Sequence, residues 1–147
     1  MLTSEPIHHQ ADSVLDLLIA QCADLEALLG LARREEEAAA AQNFDEILRV
    51  VAERATLGER LEVYHRQIAE LRQQLGAAAE VVLQSEITRQ TVALVAEIQT
   101  TDARTRPLLL AARGALVSEQ QRLTQAQRGV TAYLRDGHTA VACDRRI

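Results

Sequence analysis

The residues able to do chemistry are few in this 147-residue chain, with four His and two Cys among them. His8 and His9 are neighbours and point in different directions, so as a pair they would hold a metal ion only loosely. His65 follows Tyr64 with neither a carboxylate nor a Cys four residues on to complete a ligand pair. Cys22 lies inside an apolar helical stripe and reads as a core thiol, and with Cys143 it makes no spaced framework, which points to a reducing compartment. No phosphate-cradling glycine loop and no nucleophile elbow occurs. Neither a His-Glu-x-x-His motif nor the inward Glu and Glu-x-x-His set of a di-iron bundle is expected. The chain is therefore expected not to be an enzyme, and no metal or cofactor is expected.

Charge removes a second class. Acidic residues number 21 against 16 basic ones, for a net charge of -5, which repels nucleic acid and anionic lipid at long range. All the basic residues are Arg. Arg104, Arg106, Arg113, Arg122, Arg128 and Arg135 spread around their helix without one clean stripe and without stacking aromatics, so they read as a solvated face. The N-terminus has neither a basic leader region nor an apolar run of signal length, and no stretch is apolar for long enough to span a bilayer. A cytoplasmic protein is expected, with no nucleic acid bound and no membrane insertion.

With catalysis set aside, the pattern that remains is helical. Hydrophobic residues make up 48% of the chain but aromatics only 2%, with two Pro and six Gly, so the apolar content is Leu, Ala, Val and Ile in the proportions of a helix former. Leu15, Leu18, Cys22, Leu25, Leu29, Ala32, Glu36 and Ala39 alternate at spacings of three and four, after a start predicted at Asp12 or Ser13. Asn43-Phe44-Asp45-Glu46 reads as a capping box opening a second helix. Ile47, Val50, Arg54, Leu57, Leu61, Tyr64, Ile68, Leu71 and Leu75 continue the alternation until Gly76, the place for a left-handed terminating residue. Ala77 to Ala79 then read as a brief link. Ile87, Thr91, Leu94, Ile98, Thr101, Thr105, Leu108, Ala112, Leu116, Leu123, Ala126, Val130 and Tyr133 form the stripe of a third helix, expected from residue 80 to the stop at Asp136-Gly137.

The predicted fold is all-α: an antiparallel coiled-coil helical hairpin plus a long third helix kinked at Pro107, together a three-helix bundle. The alternative is a four-helix bundle in which the chain reverses at Pro107. Residues 1–137 would form one helical domain and 138–147 a flexible tail. The first two helices would each be about 45 Å long and the third about 80 Å, so the hairpin cannot cover it. The uncovered remainder carries Leu108, Leu109, Ala112, Leu116, Leu123, Ala126, Val130 and Tyr133, predicted as a groove for a partner's amphipathic helix. Charge divides along the chain too: residues 1–76 hold 14 acidic and seven basic side chains, residues 77–147 seven and nine.

The segment ARREEEAAAAQNFDEILRVVAERATLGERL resembles the helix-turn-helix of the FlgN and FliT flagellar export chaperones, with Glu53-Arg54-Ala55-Thr56-Leu57 and Leu61 matching a run in their second helix. The stretch from Val92 to Leu134 is similar to their long third helix, where Ile98 and Asp102 precede a leucine run that closes on Gly129, Ala132 and Tyr133. Pro107 departs from that pattern. The resemblance implies a cytoplasmic chaperone of flagellar type III secretion. Its clients would be the C-terminal helical segments of hook-associated or filament-cap proteins, delivered to the export gate or ATPase components. The alternative is a self-associating coiled-coil adaptor that forms a homodimer and has no part in secretion.

Overall fold

A computed structural model of the chain describes the backbone of residues 5–83 and 85–144 and the side chains of residues 12–78, 80–81 and 85–136. Every element in it is a helix: α1 (Glu5–Ala40), α2 (Phe44–Leu75), the short α3 (Ala77–Leu83) and α4 (Glu86–Asp144). The chain divides into two compact units, residues 1–108 and residues 109–147. The first unit is a helical bundle; the described part of the second is the remainder of α4.

Two apolar clusters hold the first unit together. Leu25 and Leu29 of α1 meet Ile98 of α4, with Leu28, Leu61 and Leu94 packed around them. Leu31 meets Val50 and Leu57 of α2. Burying a side chain of this size contributes about 1.5 to 3 kcal/mol. Cys22 is buried, as expected of a core thiol.

The α1 seam needs correction at both ends. Val14 is buried where Leu15 was expected, and Glu35 is buried where Glu36 was expected to be the polar seam position. Partners on both α2 and α4 explain the Glu35 shift. Leu31 and Glu35 turn to α2, while Leu29 and Glu36 turn to α4, so the covered arc is wider than a two-position seam. On α2 the expected stripe holds throughout: Val50 and Leu57 are buried and the other seven positions are half-buried.

The turn between α1 and α2 is built by the backbone. The Asn43 and Gln42 amides donate to the carbonyls of Ala38 and Ala39, the bond pair of a Schellman motif, and Gln42 takes the left-handed conformation at φ 53°. Glycine would adopt that conformation without strain. The Asn43 side chain then accepts from the Glu46 amide at 3.2 Å, the expected N-cap of α2.

Other boundaries move. α1 begins at Glu5, not after Asp12 or Ser13, with Pro6 in the first turn where its missing amide costs nothing; His8 and His9 thus lie on a helix. Gly76 does have positive φ, at 54°, and its amide donates to the Arg72 carbonyl. The expected link beyond it is instead α3. α4 starts at Glu86, where the Ser85 carbonyl accepts from the amides of Thr88 and Arg89. It continues through Pro107, so the chain has no turn there as the four-helix alternative requires. Asp136-Gly137 does not stop it either. The helix takes in most of the expected tail as far as Asp144, and the rest, residues 145–147, lies outside the described residues.

Candidate functional site

α4 carries a single apolar stripe through both units, and the stripe changes character along it. Within the first unit Ile98, Thr101 and Thr105 are buried and Ile87, Thr91 and Leu94 are half-buried. The two threonines satisfy their hydroxyls by donating to carbonyls one turn back, Thr101 to Glu97 and Thr105 to Thr101, both at 2.8 Å.

Beside the threonines lies a three-helix ion cluster. Arg54 of α2 grips Asp102 of α4 with two parallel bonds, Nη1 to Oδ1 and Nη2 to Oδ2, each 2.8 Å. Its Nη1 also donates to Glu35 of α1 at 2.6 Å. Fork-to-fork bonding of this kind fixes geometry as well as charge. The Arg54 pKa is raised above its ordinary value, chiefly by the Asp102 hydrogen bond and then, against the desolvation of partial burial, by the bond to Glu35. Arg33 with Glu97 and Arg104 with Glu36 add two exposed pairs between α1 and α4. From the sequence Arg54 was a polar position in the α2 stripe and part of the run that carries the family resemblance, with no ion partner assigned. An arginine in the α2 stripe together with the Glu35–Glu37 run on α1 was the available signal.

The predicted docking residues divide. Ala112 is only 2% exposed. Leu108 and Leu109 are half-buried. Leu116 (48%), Leu123 (53%), Val130 (59%) and Tyr133 (77%) stand in solvent, and Ala126 is exposed with them. Leu134 joins them and was missed. It lies eighteen residues from Leu116, five full turns, and so shares its line along the helix. Leu110 and Val117, also missed, are exposed on a second, narrower line seven residues apart.

Arg122 donates to Glu119 from Nη2 at 2.6 Å and from Nε at 3.1 Å, a pair made within one turn of the same helix. That hydrogen bond holds the Glu119 carboxyl below its usual range and raises the Arg122 pKa. Arg113 and Arg128 make no ion pair with a described residue.

Glu-x-x-His spacing, which the sequence reading did not expect, occurs twice, at Glu5–His8 and Glu62–His65. The side chains of Glu5 and His8 lie outside the described residues. Glu62 and His65 are exposed on α2 and line an open depression of about 460 Å³ with Gln21, Leu25, Leu61 and Val95. Among the described residues no three His, Cys, Asp or Glu side chains gather to hold a metal ion. Among those residues, too, no helix is long and apolar enough to cross a membrane. No protein-family model, no curated protein and no solved structure matches the chain.

Proposed function

We propose that the chain is a helix-docking chaperone of the FlgN and FliT kind, which holds an export substrate's C-terminal helical segment against residues 109–136 of α4. The observation that carries this reading is the line of Leu116, Leu123, Val130 and Leu134, helical in backbone and open to solvent. Leaving such a line wet forfeits about 1.5 to 3 kcal/mol per large side chain, which a partner recovers. In this reading α1 and α2 form an antiparallel coiled-coil hairpin that steadies the first part of α4, and Pro107 kinks the helix where docking begins.

The clients are hook-associated or filament-cap proteins of flagellar type III secretion, met in the cytoplasm and handed on to the export gate or ATPase. Binding couples to folding: a disordered amphipathic tail becomes helical on the stripe and is kept from assembling early. Because α4 is already helical, only the client bears the ordering cost, so the complex is reversible. No catalysis and no cofactor are involved.

Titration calorimetry with synthetic C-terminal segments of hook-associated and filament-cap proteins tests the reading. Leu116→Asp with Leu123→Asp is expected to weaken binding at least about 100-fold, because docking would then bury two charges in place of two leucines. The melting temperature should shift by less than about 4 °C, since both sites are exposed. Equal loss of folding would make these residues internal core. Self-association without client binding, followed by light scattering, would favour a coiled-coil adaptor that pairs with itself.

A further inference from the structure

The docking stripe differs in charge from most of the chain. Residues 109–136 hold four arginines, Arg113, Arg122, Arg128 and Arg135, against two acids, Glu119 and Asp136, in a protein whose net charge is -5. Glu119 occupies Arg122. Arg113 and Arg128 have no carboxylate among the described residues. At 100° per residue, Arg113, Arg128 and Arg135 fall within an arc of about 60° on one side of the Leu116–Leu134 line.

The first unit contains a worked instance of what covers this helix. There the apolar stripe of α4 is met by leucines of α1, and charges of α4 alongside it meet their opposites on that helix, Arg104 the Glu36 carboxylate and Glu97 the Arg33 guanidinium. By the same matching, the cover that suits the arginine-rich residues 109–136 is one of leucines with acids on the flank.

We infer that the occupant of the stripe is an amphipathic helix with an acidic flank, selected over other apolar helices by Arg113 and Arg128. This rests on the reading of residues 109–136 as a docking face and adds the partner's charge to it. A second copy of the chain is the poorer occupant, because its own stripe brings the same excess of arginine, and like charge facing like charge is disfavoured.

Fluorescence anisotropy with the full chain and two labelled amphipathic peptides tests the inference. The peptides share one leucine face; one carries glutamates on its flanks and the other arginines. The acidic peptide is expected to bind about five-fold tighter at low salt, the yield of two exposed ion pairs, and to lose that lead near about 0.5 M salt. Arg113→Glu with Arg128→Glu should reverse the order of the two peptides while the far-ultraviolet circular dichroism stays unchanged. Equal binding of both peptides, or an order the double variant leaves intact, overturns the charge selection and leaves the docking face standing. Failure of either peptide to bind, together with self-association lost on Leu116→Asp with Leu123→Asp, overturns the docking face itself.

Discussion

The two parts of α4 have the same apolar period and opposite surroundings. Between Glu86 and Leu108 the stripe meets leucines from α1 and α2, and the carboxylates of Glu97 and Asp102 reach arginines on other helices. Between Leu109 and Asp136 the apolar side chains from Leu116 onward are exposed, and Glu119 pairs within its own helix, three residues away. A repeating apolar pattern states which face a helix can bury; it does not state whether anything is there to bury it. Ion pairs to other helices mark the covered part, where Glu97, Asp102 and Arg104 all make them.

Truncating one apolar residue in each part is the most direct way to break this contrast. Ile98→Ala removes packing from a cluster that joins three helices and is expected to cost about 2 to 4 kcal/mol in urea unfolding. Leu123→Ala is expected to stay within about 0.5 kcal/mol. Similar losses at the two sites would mean that the second stripe is covered in solution.

Arg54 sharpens the contrast at a smaller scale. Its removal strands the Glu35 carboxylate, whose side chain is 8% exposed, without its donor. Arg54→Ala is expected to cost about 3 kcal/mol, the lower end of the range for breaking a buried pair, because Asp102 keeps access to water. Replacing Arg54 by Met and Glu35 by Leu together should recover most of the loss, since the penalty comes from the unpaired charge. Arg122→Ala should leave unfolding unchanged, since its pair is exposed and local.

The fold class was legible because helix formers, few breakers and a three-four alternation agree over α2, where every expected seam position faces inward. The start of α1 and both ends of α4 were harder to place. The expected start relied on Asp12 and Ser13 as caps and the expected stop on Gly137, but a capping residue is only a local preference that neighbouring helix propensity overrides. Leu31 and Ala38, off the single seam, are buried because α1 is covered from two sides, a property of assembly that no one-dimensional pattern contains. Of the candidate site, Leu116, Leu123, Val130 and Tyr133 were readable from spacing. Spacing assigns a face but not exposure, so it does not show that Ala112 is buried, and Leu134 was passed over because the seven-residue repeat drifts from the 3.6-residue turn over five turns.

Acid provides the mildest test, through two glutamates held below their ordinary value near 4.5, each chiefly by an arginine hydrogen bond. Glu46 takes its bond from Arg34, so the pair ties α1 to α2; Glu119 takes its bond from Arg122 on the same helix. A carboxyl whose folded pKa is depressed adds stability above its unfolded pKa and loses it as the pH falls through the folded value. For Glu46 that loss belongs to the bundle. Glu46→Gln should therefore lower stability slightly at neutral pH and flatten its decline below about pH 4.5 relative to the unaltered chain. Glu119→Gln should leave bundle unfolding unchanged at every pH and alter only hydrogen exchange in residues 109–136. If it flattened the global curve as Glu46→Gln does, the second part of α4 would unfold together with the bundle, and the contrast in cover would not extend to stability.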